Sequence, residues 1–173
     1  RDIDMGKPPR ALVIGYGSIG EKHAQLLQDI GAEVGVVTRR NKVFELEFPD
    51  TATALAKFDP SYVVIANETS AHMRTAGELY DAGFQGRVLI EKPMVGVNQK
   101  ICFRSQQDAY VGFNFRFHPL VRALRKELRG QRIVSAEFRC GSYLPLWRKG
   151  RDHRSTASAK EMMDGGVLAD LSH

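Results

Sequence analysis

Three glycines at fixed intervals are the first residues in this chain whose spacing can do chemistry. They lie in Arg10-Ala11-Leu12-Val13-Ile14-Gly15-Tyr16-Gly17-Ser18-Ile19-Gly20. Gly15, Gly17 and Gly20 fill a G-x-G-x-x-G template, in which the first glycine permits a tight turn, the second lets a pyrophosphate approach the backbone and the third lets a helix pack closely on a strand. The amides that open such a helix face an anion with unpaired N–H groups and a partial positive charge. A plain strand–turn–helix is the alternative, but the context favours a dinucleotide. Ala11 to Ile14 is a continuous apolar run that predicts a buried strand. Lys22 to Asp29 predicts a helix, with Ala24, Leu27 and Ile30 recurring on one face and Gly31 stopping it.

The next chemistry stands at the ends of later strands. Glu33 to Thr38 predicts a second strand, followed by Arg39, Arg40, Asn41 and Lys42. A carboxylate about 20 positions past the glycines would hold the ribose 2'-hydroxyl of NAD, whereas arginine there pairs with the 2'-phosphate of NADP. No acidic residue ends this strand, so the sequence favours NADP over NAD; a solvated turn is the other reading of Arg39 and Arg40. Tyr62 to Ala66 predicts a buried fourth strand, the third position falling to the abbreviated edge, and leads into Asn67-Glu68-Thr69-Ser70-Ala71-His72. Thr69 or Ser70 would cap a helix running to Ala82. Polar residues at the carboxyl end of a central parallel strand are where open α/β sheets contact ligands; His72 taken alone reads as a surface residue of the helix. Arg87 to Ile90 predicts a further strand running into Glu91-Lys92-Pro93. Glu91 and Lys92 would form a surface ion pair, or Lys92 would project into the cleft while Pro93 sets the chain direction.

The elements that must hold these residues are legible in outline. Val43 to Pro49 leaves no room for a full crossover helix, so this edge of the sheet should be abbreviated, and Asp50 or Thr51 can cap a short helix through Leu55 and Phe58 that Asp59-Pro60 ends. With 173 residues, 43% apolar and 26% charged, the chain can bury a core and is long enough for one domain and part of another. The net charge of +5 is scattered among acidic residues, as a basic surface or a phosphate-bearing ligand would require. Cys102 and Cys140 have no C-x-x-C spacing. They indicate neither a disulfide framework nor a metal site, and fit a reducing, cytoplasmic setting. No apolar run suits a bilayer, and Arg1 to Pro9 reads as an N-terminal extension.

Taken together, Gly15 to Gly20 with His23, Asn67 through His72, Glu91-Lys92-Pro93 and Gly112-Phe113-Asn114-Phe115-Arg116-Phe117 resemble the glucose-fructose oxidoreductase, inositol dehydrogenase and rhizopine-catabolism (Gfo/Idh/MocA) family. The resemblance implies an α/β fold: a Rossmann domain with a doubly wound parallel sheet over residues 10–113, then the start of an incomplete α/β substrate and dimerisation domain over 114–173. It implies an NAD(P)-dependent enzyme that moves a hydride to or from a carbinol carbon of a sugar, cyclitol or nucleotide-sugar. Cofactor contacts would come from Gly15, Tyr16, Gly17, Ser18, Ile19, Gly20, Thr38, Arg39, Arg40, Asn67, Glu68, His72, Glu91 and Lys92, and substrate contacts from Asn114 and Arg116. Lys92 would act in catalysis with His173 as general acid/base and Asp170 beside it, from Asp164-Gly165-Gly166-Val167-Leu168-Ala169-Asp170-Leu171-Ser172-His173. No metal is implied.

This chain departs from the family pattern in two places. Val95 to Ala109 is short and polar where a long helix is usual, so that crossover should be reduced or irregular before a sixth strand at Tyr110 to Phe113. The chain also ends at His173, which reads as truncation; homo-oligomers are expected of a full-length relative. Beyond the hinge at Asn114 to Pro119, a helix to Leu128 is predicted with Leu120, Val121, Leu124 and Leu128 on one face and Arg122, Arg125, Lys126 and Arg129 on the other. A strand at Ile133 to Arg139, an extended segment from Gly141 to Trp147 and a basic surface loop to Arg154 follow. The competing function is a dinucleotide-binding or sensor module without chemistry. Nucleic-acid binding lacks a recognised motif, so none is expected.

Overall fold

The computed structural model describes residues 7–96, 108–139, 141, 143–146 and 152–155. The chain divides into two compact units, Arg1–Val111 and Gly112–His173.

In the first unit β1 (Arg10–Ile14) lies between two parallel neighbours, β2 (Glu33–Val37) and β4 (Tyr62–Ile65). A strand enclosed in this way is buried on both faces, which is why Ala11 to Ile14 are continuously apolar rather than alternating. The sheet is completed by β3 (Glu47–Phe48), β5 (Arg87–Ile90) and β6 (Ala109–Val111), in the order β3-β2-β1-β4-β5-β6 with all pairs parallel. This is the doubly wound Rossmann arrangement, with the direction of winding reversing between β1 and β4. Register aligns Val37, Ile14, Ile65, Ile90 and Val111 across five strands. The turns that follow those residues therefore emerge at one edge.

Side chains alternate between two cores. Leu12, Ile14, Val63 and Ile65 pack with Ala54 and Phe58 of α2 (Thr51–Phe58) and Ala76 and Leu79 of α3 (His72–Asp81). Val13, Val36 and Val64 pack with Ala24 and Leu27 of α1 (Ser18–Asp29) on the other face. The abbreviated edge is present: β2 passes to the two-residue β3 without an intervening helix.

Several boundaries differ from the sequence reading for local reasons. Helix α1 starts at Ser18 rather than Lys22, because the glycine turn passes straight into helical bonding, with Glu21 N donating to Gly17 O at 2.9 Å. Asp50 is the cap of α2, its Oδ1 accepting from Thr53 N at 2.7 Å, and Asp59, in the left-handed region, ends the helix. Neither Thr69 nor Ser70 caps α3. Thr69–Ala71 instead forms a 3-10 turn, entered through an Ala71 N to Glu68 O bond of 2.8 Å, and α3 begins at His72. Strand β6 stops at Val111, two residues short of the expected Phe113. Most of the expected reduced crossover, residues 97–107, lies outside the described residues.

In the second unit Asn114–Phe117 is a 3-10 turn and α4 spans Pro119–Glu127, with His118 Nδ1 accepting from Leu120 N at 3.2 Å. The expected strand at Ile133 to Arg139 is not formed: this stretch pairs with no strand among the described residues, and a strand exists only as one side of a ladder. Leu144–Leu146, expected to be extended, makes a 3-10 turn around Pro145, whose fixed φ suits it. His153–Ser155 is another short turn; residues 147–151 of the expected basic loop lie outside the described residues.

Candidate functional site

Gly15 sits at φ +95°, and a Cβ there would stand 2.5 Å from Asn67 Cα. A Cβ on Gly20 would stand 1.9 Å from Gly15 O, so helix and turn touch backbone to backbone. At Gly17 a Cβ would meet nothing within 4 Å among the described residues, which leaves the middle of the turn open to approach. The three glycines thus do three different things, as the template requires. Ser18 and Ile19 occupy the first helical turn, where amides have no partner within the helix.

At the end of β2, Arg40 turns back over Tyr16. Its guanidinium carbon lies 5.6 Å from the ring centroid, and Arg40 N donates to Thr38 Oγ1 at 3.1 Å. Phe44 meets the same ring edge-on at 5.4 Å. Burial and the Glu21 carboxylate push the Tyr16 phenol up, with Arg40 acting the other way. Phe44 was missed from sequence because it lies in the mixed stretch without a period. Arg39 is exposed beside this cluster in sequence. Glu47, the acidic residue that returns toward the loop, is occupied: its carboxylate accepts from Lys42 N at 2.8 Å and Val43 N at 3.2 Å.

After β4, Asn67 Nδ2 donates to Thr75 Oγ1 at 2.9 Å, while Asn67 Oδ1 is buried with no hydrogen-bond partner among the described residues. His72 is not a surface residue: it is 1% exposed. Its Nδ1 lies 3.0 Å from Pro93 O and its Nε2 3.1 Å from Asn67 O. Carbonyls only accept, so a neutral ring donates to one of them and an imidazolium to both. In either form the ring spans the turn after β4 and the turn after β5. Glu68 is exposed.

After β5, Glu91 is buried and does not form the surface pair with Lys92. Its Oε1 lies 2.7 Å from His23 Nε2 on α1, and its Oε2 accepts from Lys92 N at 3.1 Å. Burial by itself pushes this carboxyl up; the His23 hydrogen bond, the Lys92 amide and the charges of His23 and Lys92 outweigh it and hold the group below its ordinary value. The Lys92–Pro93 bond is cis, and Lys92 is exposed.

The structure therefore brings Gly15 to Gly20, Thr38, Arg40, Asn67, His72, Glu91 and Lys92 to one edge of the first unit. Asn114 and Arg116 belong to the second unit and are both exposed there, with Arg116 5.8 Å from the centroid of Phe117. Asp170 and His173 lie outside the described residues. Among the described residues no three His, Cys, Asp or Glu are grouped to hold a metal ion, and no helix is long and apolar enough to cross a membrane.

An open glycine turn before a helix N-terminus and an orphaned buried acceptor at the next strand end fit a dinucleotide. The sequence model of the oxidoreductase family with an NAD-binding Rossmann fold matches residues 10–101. The chain belongs to the Gfo/Idh/MocA family. The structure of myo-inositol dehydrogenase from Lactobacillus casei in complex with NAD(H) and myo-inositol is similar at 24% identity and a TM-score of 0.58, over 71% of this chain and 42% of that one. WlbA dehydrogenase from Chromobacterium violaceum, in complex with NADH and UDP-GlcNAcA, is similar at 17% identity and a TM-score of 0.60, over 72% and 41%. UDP-N-acetylglucosamine 3-dehydrogenase GnnA from Acidithiobacillus ferrooxidans is similar at 27% identity and a TM-score of 0.54, over 68% and 42%. The chain thus spans well under half the length of these solved members. No curated protein matches it in sequence.

Proposed function

We propose that this chain is a nicotinamide-dependent dehydrogenase or reductase acting on a carbinol carbon of a sugar, cyclitol or nucleotide-sugar. The observation that carries this reading is the convergence of the open glycine turn, the orphaned Asn67 Oδ1 and the Lys92 turn on one sheet edge. The inositol and UDP-sugar dehydrogenases among its structural relatives support the substrate class.

Gly15 to Gly20 and the first turn of α1 hold the pyrophosphate on backbone amides. Asn67 Oδ1 accepts a hydrogen bond from the nicotinamide half. Arg39 and Arg40 pair with a 2'-phosphate, so NADP is taken in preference to NAD. The support is the Arg40–Tyr16 stack, the absence of a carboxylate at the end of β2 and the engagement of Glu47 elsewhere. When bound, the cofactor takes or gives the hydride. The Lys92 ammonium polarises the substrate oxygen at its Nζ. His173 takes the hydroxyl proton during oxidation and returns it during reduction, with Asp170 orienting its ring and Asn114 and Arg116 holding the substrate.

Fluorescence titration with NADPH and NADH tests the cofactor half of this reading, and a panel of sugars and nucleotide-sugars followed by nicotinamide absorbance tests the chemistry. NADPH binding tighter than NADH by about tenfold or more is expected, since an arginine pair on phosphate is worth at least about 1.4 kcal/mol. Equal affinities would remove the role given to Arg39 and Arg40. A Lys92→Ala variant that turns over substrate at the normal rate would remove the mechanism.

A further inference from the structure

The turn that carries Lys92 is gripped from both faces of the sheet. On the α1 side, His23 Nε2 meets Glu91 Oε1 at 2.7 Å, with the two side chains 20% and 12% exposed. The second oxygen of that carboxylate holds the Lys92 amide at 3.1 Å, and Glu91 N donates to Ile65 O at 2.9 Å, extending the ladder one residue past β5. On the α3 side, buried His72 meets Pro93 O at 3.0 Å. The residues before and after Lys92 are therefore both tied down. Among the described residues no hydrogen bond or ion pair holds the Lys92 amine itself.

We propose that His23 and Glu91 are a pair of positioning residues for Lys92: the imidazole fixes the carboxylate, and the carboxylate fixes the Lys92 backbone. This rests on the reading of Lys92 as the group that acts on substrate oxygen. His23 sits little more than one turn past the glycine-turn end of α1, so the helix that faces the pyrophosphate also sets the lysine. A lysine side chain has four rotatable bonds, and its amine can be placed reproducibly only if its Cα is fixed first. The geometry does this through a partly buried, charge-assisted bond.

The test is competitive acetylation of the whole chain with acetic anhydride at one pH, about 8. Peptide mass spectrometry reads Lys92 against exposed Lys57 on α2 as internal standard. Glu91→Gln, nearly isosteric, loses the charge-assisted bond to His23 and should change the Lys92-to-Lys57 rate ratio about threefold. His23→Leu should change the ratio by a similar factor, and His23→Gln, which keeps a donor, should restore it. Circular dichroism establishes that each variant is folded; if His23→Leu is not, Glu91→Gln carries the test. A ratio unchanged within about 1.5-fold in folded Glu91→Gln would overturn the proposal, being well inside a threefold shift. Titration of the same samples with NADPH and NADH separates the two readings. Wild-type chain that binds neither NADPH nor NADH defeats the dehydrogenase reading, whereas the acetylation ratio still decides whether Glu91 and His23 set the lysine.

Discussion

Two stretches of this chain carry equally clear apolar patterns and differ in what becomes of them. Leu12 and Val13 of β1 are fully buried, enclosed by parallel strands on both sides and helices on both faces. Leu120 and Leu124 of α4 lie on one face of an equally regular helix, yet are 74% and 51% exposed. The pattern decides which side chains share a face; a neighbour decides whether that face is buried. In the first unit the neighbours are other segments of the same hundred-odd residues, held in register by the sheet. In the second unit α4 packs on the Asn114–Phe117 turn, and Val134 and Phe138 beyond it are 91% and 87% exposed. A site assembled from several elements can be exact only where such neighbours exist, and Gly15, Asn67 and Glu91 are brought to one edge by the ladder rather than by their own loops.

The contrast is broken most severely at the glycines. Gly20→Val places a side chain against Gly15 O, where even a Cβ would stand at 1.9 Å, so α1 must leave β1. A loss of more than about 4 kcal/mol of stability is expected, together with loss of NADPH binding. Gly130→Ala in the second unit, at φ +78° with nothing among the described residues within 4 Å of its Cβ, should cost only about 1 kcal/mol through backbone strain. Urea unfolding followed by far-UV circular dichroism reads both. Similar midpoints for the two variants would mean that the third glycine does not set the spacing of helix and strand.

A smaller pair of changes measures the cores. Leu12→Ala removes a fully buried side chain between packed layers and should cost about 3 kcal/mol, the usual range for such a cavity. Leu124→Ala, at a half-exposed position, should stay within about 0.5 kcal/mol. If Leu124→Ala proved as costly as Leu12→Ala, the apolar face of α4 would be covered in solution and the contrast between the units would shrink.

The parts of the molecule that could be read in sequence follow the same division. Parallel buried strands announce themselves because both faces demand apolar residues, so Ala11 to Ile14 and Tyr62 to Ile65 needed no partner to be recognised. The strand expected at Ile133 to Arg139 rested on alternation alone, and alternation does not supply a ladder. Within the site, the glycine turn and the Lys92 turn were legible because local backbone needs dictate their residues. The His23–Glu91 bond spans 68 positions and the His72–Pro93 bond 21, and nothing local marks either partner. His72 looked like a surface residue because a polar side chain at a helix start usually is one. Only the meeting of two strand ends supplies the carbonyls that justify burying it.

The smallest expected effect compares how helices begin in the two units. Asp50 caps α2 with a carboxylate that accepts from Thr53 N at 2.7 Å, whereas His118 caps α4 with a ring nitrogen accepting from Leu120 N at 3.2 Å. Bonds to the Thr53 amide and hydroxyl hold the Asp50 carboxyl below its ordinary value of 3.8, against a smaller opposing effect of burial. A group with a lowered folded-state value binds its proton more weakly in the native chain than in the unfolded one. Its contribution to stability is therefore complete above the ordinary value and is lost as pH falls through the lowered one. Asp50→Asn keeps a capping oxygen without the charge. The difference in melting temperature between wild type and Asp50→Asn should be constant from neutrality down to about the ordinary carboxylate range and then close. A difference that persists unchanged into strong acid would show that the Asp50 charge contributes nothing beyond the hydrogen bond, and that the two helices start on equal terms.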